Sequence, residues 1–228
     1  MANNRNIIFF GIGAVLGGTA LILVLRKLLV KYRAVSIAKK EWQGWGEPTI
    51  DVNGNQIIDG GFESDKGFSE RVGRYWKEGT GQNLVGSDRE VPWSATFISW
   101  IMKKAGAGSK FVYNPSHSKY ITDSIANRKN GNSKAPFVGY RLNEIAPKVG
   151  DLVCYSRQGG VDYDTTGSYK SHCDIVVSTK GNEIEVIGGN VNQAVTKKVL
   201  KTDSKGFLVD TNRAVSYTHL TLPTIYSV

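Results

Sequence analysis

Apolar and polar positions divide the chain into three stretches of different period. Residues 7–25 run for nineteen positions without a charge, and after Arg26 and Lys27 a second apolar patch follows at Leu28, Leu29 and Val30. At about 1.5 Å per residue this is long enough to span a bilayer, with the basic pair snorkelling to the interface. No small-x-small cleavage site follows it, so it reads as a retained transmembrane anchor. Beyond it the spacing becomes helical. Helices are expected over 32–42, with Val35, Ala38 and Trp42 on one face, and over 69–76, with Val72, Tyr75 and Trp76 inward. Two more are expected over 94–104, where Phe97, Ile98, Ile101 and Met102 form an apolar face, and over 118–128. Residues 49–58 suit a hairpin turning at Asn53-Gly54. After Pro147 the pattern shortens to β-branched runs bounded by turn residues, and strands are expected over 152–155, 173–178, 183–187 and 195–200. Helices first and an antiparallel sheet afterwards make an α+β domain.

Charge changes the picture only near the start. The 228 residues carry a formal net charge of +9, of which +6 lies within the first 41 residues and +3 in all the rest. A basic excess beside an apolar run suits anionic lipid headgroups better than DNA, so membrane contact is expected and nucleic-acid binding is not. Six basic residues follow the span, against Arg5 and the amino terminus before it, and the positive-inside rule then puts the folded domain in the cytoplasm. Cys154 and Cys173 offer one pair and no metal-ligand cluster. The spacing Asp51-x-Asn53-x-Asn55 hints at a calcium loop. It has Gln56 where such a loop needs glycine and no acid at its twelfth position, so no metal or cofactor is expected. The last fourteen residues, 215–228, read as a translated sequencing-library adapter and are set apart, His219 with them. The expected parts are a short tail over 1–6, the anchor over 7–30, the domain over 31–214, and this terminal segment.

The densest chemistry is at Val91-Pro92-Trp93-Ser94. Pro92 fixes φ and biases Val91 to extended geometry, so the chain turns and Ser94 falls at or near a helix N-terminus. Free N–H groups there favour negative charge, which suits a nucleophile and the oxyanion it creates. Serine is also a good N-cap, and that reading stands beside the other. His172 opens a strand after a long polar loop, and His117 sits in Asn114-Pro115-Ser116-His117. Gly188-Gly189-Asn190 is good turn material.

In order and local context these segments resemble a known family. The stretch 91–100 is similar to the Pro-Trp-Cys-Ala-Ala-Phe segment of papain-like cell-wall hydrolases of the NlpC/P60 and CHAP type, whose cysteine is the nucleophile. It is closer still to a domain family of unknown function that carries serine there. Ser171-His172-Cys173-Asp174-Ile175 resembles the strand that supplies the base in the hydrolases. Gly188-Gly189-Asn190 resembles the segment bearing the third catalytic position in phage-associated relatives. The resemblance covers about 34–200. It implies a papain-like NlpC/P60-type α+β domain behind an N-terminal transmembrane helix, with Ser94 attacking, His172 as base and Asn190 orienting it. Trp93, His117 and Asp174 would be binding residues around the same cleft, and the partner a peptidoglycan or peptide-like substrate.

Serine makes this set a demanding one. A hydroxyl is a weaker acid than a thiol and needs a histidine braced by a carboxylate, whose replacement by amide costs on the order of 10⁴ in turnover in a well-studied serine protease. Asp174 lies two residues from His172 on the same side of the strand and would brace it only if the strand bends. Glu70 and Asp151 are further carboxylates without a place. Two readings follow: a membrane-anchored hydrolase resembling peptidoglycan peptidases and amidases, or an inactive relative binding wall fragments or a protein partner in an envelope or phage setting. A cell-wall hydrolase must act outside, against the flanking charges. In this fold Cys154 and Cys173 would lie on neighbouring strands, as a disulfide if the domain is exported or as buried thiols if not.

Overall fold

The computed structural model describes residues 29–209, except 89, 110, 133, 134 and 136, together with the backbone of Thr218–Thr221. The span expected over 7–30 lies outside the described residues apart from its last two positions. Among the described residues no helix is long and apolar enough to cross a membrane.

Helices come first and the sheet follows. Helix α1 covers 29–44, α2 covers Phe68–Arg74 and runs into a π-helical turn at Tyr75–Thr80, α3 covers Ser94–Ala105 and α4 covers His117–Lys129. The strands are β1 (Thr49–Ile50), β2 (Gln56–Ile58), β3 (Val138–Arg141), β4 (Leu152–Ser156), β5 (Ser171–Lys180), β6 (Glu183–Val191), β7 (Ala194–Lys201) and β8 (Thr218–Thr221). They form one sheet in the order β2-β1-β7-β6-β5-β4-β8-β3. Neighbours are antiparallel except β1 and β7, which run parallel. The domain is α+β, as the pattern implied. Strand β8 belongs to the stretch read as adapter translation, and its backbone pairs with both β4 and β3.

The expected hairpin turns where Asn53-Gly54 puts it. Gly54 has φ 89°, and the Asp51 carboxylate accepts from the backbone N–H of Asn53 and Asn55 at 2.9 and 2.8 Å. That side chain, which suggested calcium, holds the turn. One strand runs further than expected, and another was not expected at all. Strand β6 continues through Gly188-Gly189-Asn190, with a register shift between Gly188 and Val191, and the turn is made by Asn192 and Gln193 at φ 51° and 64°. Strand β3 had no alternating pattern to announce it. It forms because Gly139 lets α4 approach: a Cβ there would lie 2.8 Å from Ile125.

Helix α3 is central. Phe97, Ile98, Ile101 and Met102 are fully buried as expected, and Trp100 and Ser99 on other faces are buried too, because α3 packs on the π-helical turn and on β5 and β6. Trp45, Tyr75, Trp93, Phe97 and Trp100 make ring contacts around its first two turns, with centroids between 4.9 and 6.5 Å apart. At about 1.5–3 kcal/mol for each large apolar side chain removed from water, this cluster fixes the start of α3. Helix α1 is tied on by Lys31 Nζ, 3.0 Å from the buried Asp151 Oδ1. Cys154 and Cys173 face each other in the β4–β5 register and form a disulfide.

Candidate active site

Ser94 occupies the first position of α3, and the N-cap is Trp93, which makes no side-chain capping bond. The serine hydroxyl is therefore not spent on a cap. Its Oγ lies 2.7 Å from His117 Nε2. His117 is itself the first residue of α4, and the loop before it is sewn to α3: Ser99 Oγ donates to Asn114 O and accepts from Asn114 N–H, each at 3.1 Å. Asn114 Oδ1 then accepts from Ser116 N–H at 2.9 Å, which turns the chain into α4. Two residues 23 apart in sequence thus meet across two helix starts. On its other side, His117 Nδ1 is hydrogen-bonded to the Tyr120 hydroxyl.

His172 lies next to this pair, its ring centroid 5.2 Å from that of His117. Its Nε2 is 2.9 Å from Asp174 Oδ1, so the strand does allow the carboxylate two residues on to brace the ring. Asp174 Oδ2 is 2.6 Å from Lys198 Nζ, which also stands 3.5 Å from the Tyr155 hydroxyl. The close fit depends on glycine: a Cβ on Gly188 would lie 1.9 Å from Asp174 Oδ1 and 2.9 Å from His172 Nε2.

Asn190 works elsewhere. With its amide oriented by its neighbours, its oxygen accepts from Trp93 N–H at 3.1 Å and its nitrogen donates to Glu63 Oε2 at 3.3 Å. Trp93 Nε1 donates to the same Glu63 oxygen at 2.6 Å. Asn190 adopts φ 54°, and Gly189 before it has Trp93 and Phe97 so close that a Cβ would lie 2.7 Å from either ring. The Gly-Gly-Asn segment therefore fixes the residue before Ser94 and clears space for Asp174, while His172 is oriented by Asp174. Of the predicted site residues, Ser94, His117, His172 and Asp174 form one cluster, and Trp93 and Asn190 form its support. Glu70 accepts from Gly67 N–H at the start of α2, and Asp151 pairs with Lys31, so neither carboxylate joins.

Burial sets the charges. It pushes His172 from its ordinary 6.5 down to about 4, although Asp174 pulls the other way. It holds His117 well below 6.5, with His172 adding to the effect and Asp174 opposing it. Burial opposes ionisation of Asp174, but Lys198 and His172 outweigh it and keep the carboxyl below the usual range. The Tyr120 phenol is raised well above 10 by burial and keeps its proton. At neutral pH the cluster is thus two neutral imidazoles, a carboxylate backed by an ammonium, and a hydroxyl at a helix start. Such a set can accept a proton from serine. Among the described residues no group of three or more His, Cys, Asp or Glu side chains is arranged to hold a metal.

Three members had escaped the sequence reading. Glu63, Tyr120 and Lys198 lie far from Ser94 in the chain or in ordinary surroundings. Only Tyr120, three residues after His117 on a helix, carried a local sign of contact.

The fold and the cluster define an α+β protein with a serine and two buried imidazoles at one site. Residues 63–222, more than half of the chain, match a family described as an uncharacterized protein conserved in bacteria (DUF2272), and the chain belongs to that family. Comparison with curated proteins and with solved structures gave no match.

Proposed function

We propose that this chain is a membrane-anchored serine hydrolase of peptide or amide bonds, papain-like in fold and resembling the peptidoglycan peptidases and amidases. The observation that carries the reading is the 2.7 Å contact between Ser94 Oγ and a neutral imidazole at the start of a buried helix. A serine hydroxyl held by one imidazole, with a second, carboxylate-braced imidazole beside it, is an arrangement that suits nucleophilic catalysis. Ser94 Oγ would bond to the acyl carbon while its proton passes to an adjacent imidazole and the carbonyl pair moves onto oxygen, near the free N–H groups of α3. Collapse would break the C–N bond, with the amine taking that proton. Water would then release the acyl group by the same route.

The disulfide bears on location. Such bonds persist in oxidising surroundings, so Cys154–Cys173 supports a domain on the cell-wall side of its anchor. Lys31, counted among the flanking charges, is held by Asp151 inside the fold and speaks less for a cytoplasmic side. A compartment reporter on the C-terminal end tests this, and a cytoplasmic signal would remove the cell wall as substrate.

A second reading has an observation of its own. Ser94 is 4% exposed and His172 fully buried, which suits an inactive descendant that binds wall fragments or a partner. Incubating the full chain with peptidoglycan sacculi and reading released fragments by mass spectrometry separates the two. Product that vanishes with Ser94→Ala supports the hydrolase. Product only from Ser94→Cys supports the disarmed relative, and none from any form counts against this substrate.

A further inference from the structure

The two histidines are not equivalent, and their hydrogens show why. Asp174 is paired with Lys198 and can only accept, so the proton it shares with His172 sits on Nε2 and leaves Nδ1 as a bare lone pair. Among the described residues that Nδ1 is the buried side-chain nitrogen or oxygen without a hydrogen-bond partner. His117 is held on both sides, by Tyr120 at Nδ1 and by Ser94 at Nε2. If its proton were on Nδ1, the Tyr120 oxygen would accept it, and the phenolic hydrogen of a residue 2% exposed would have no acceptor. Burying an unsatisfied donor costs about 1–3 kcal/mol. With the phenol donating instead, the His117 proton sits on Nε2 and points at Ser94 Oγ. The serine is then an acceptor from His117 with its own hydrogen unassigned. In the neighbouring ring, His172 Nδ1 is an acceptor without a donor.

We propose that His117 is a hydrogen-bond donor to Ser94, fixed in that role by Tyr120, and is not its base. The assignment takes its purpose from the serine-hydrolase reading but its geometry from the hydrogen inventory. As a positioning residue, His117 keeps its proton throughout and holds Oγ, leaving the serine hydrogen, free to turn about the Cβ–Oγ bond, for the unpartnered Nδ1 of His172 in the neighbouring ring. His172 becomes the imidazolium, stabilised by Asp174, as the Oγ–C bond forms, and returns that proton to the departing amine as the C–N bond breaks.

The full chain labelled with [15N]histidine reports the proton positions directly through long-range 1H–15N correlations at neutral pH. Substituted forms identify the rings, His219 by difference. Both His117 and His172 are expected neutral with the proton on Nε2, and a proton on Nδ1 of His117 overturns the proposal. A fluorophosphonate probe supplies the kinetic arm. His117→Gln keeps an N–H donor and is expected to slow labelling of Ser94 about tenfold, the equivalent of roughly 1.4 kcal/mol. His172→Gln should slow it by about 10²–10⁴. The reverse order also overturns the assignment. If the unaltered protein does not label at all, the hydrolase reading fails, and the 15N spectra still decide the proton positions.

Discussion

Lys198 Nζ lies 2.6 Å from Asp174 Oδ2, on the far side of the carboxylate from His172. Asp174 is almost fully buried and the lysine side chain is 14% exposed, so the pair is only weakly screened. The lysine keeps Asp174 ionised and thereby keeps the His172 proton on Nε2. Neither charge is tolerable there without the other.

Removing one partner therefore costs more than the contact. Lys198→Met and Asp174→Asn are each expected to lower stability by about 3–5 kcal/mol, read from urea unfolding. Asp174→Asn should also slow fluorophosphonate labelling of Ser94 by on the order of 10⁴, because an amide no longer selects the His172 tautomer. Labelling at the unaltered rate in a folded Asp174→Asn form would detach Asp174 from the chemistry.

Gly188 and Gly189 separate site from scaffold. A methyl on Gly188 meets Asp174 Oδ1 and His172 Nε2, whereas one on Gly189 meets the rings of Trp93 and Phe97. Gly188→Ala is expected to cut labelling at least tenfold by displacing the carboxylate. Gly189→Ala should cost about 1–3 kcal/mol of stability through overpacking. Equal effects of the two on labelling and on unfolding would contradict this division.

Acid should loosen the fold in a defined window. His172 has a folded value of about 4 against an ordinary 6.5, so between these values the unfolded chain binds a proton that the folded one refuses. Its contribution is complete above pH 6.5 and falls away as pH drops towards 4, by on the order of 3 kcal/mol. His117, also lowered, acts in the same direction below 6.5, and Asp174, depressed below its usual 3.8, adds its loss only under that pH. Urea midpoints measured from pH 7 to 4 should decline, and should do so less steeply in His172→Gln. A flat profile would mean that these rings are not buried neutral.

The disulfide closes a separation of 19 residues. Reducing it is expected to cost about 3 kcal/mol. Thermal unfolding with and without a reductant measures that loss, and an unchanged midpoint would show that β4 and β5 hold their register unaided.

Much of the site was legible because it depends on local spacing. Pro92 and the apolar run after it announced that Ser94 opens a helix. The i, i+2 relation on a strand put Asp174 on the side of His172. The resemblance put Cys154 and Cys173 on neighbouring strands but left a disulfide and buried thiols both open, and the tertiary structure pairs them. What stayed hidden were partners chosen by packing. Asn190 resembled the orienter of His172, yet its neighbour in space is Trp93, because the Gly188–Val191 irregularity turns its side chain towards the start of α3. Nothing near Glu63 or Lys198 in the chain marks them as members of buried networks.

The sequence by itself determined the α+β order, the core face of α3 and the serine at its first turn. These follow from period, propensity and backbone restriction, all of which act over a few residues. Only the tertiary structure decided that Ser94 meets His117, that Asp174 stands between His172 and Lys198, and that a tyrosine sets the direction of the hydrogen bonds. Such contacts join positions tens of residues apart. They are fixed by how two helix starts and three strands pack around glycines small enough to let them close.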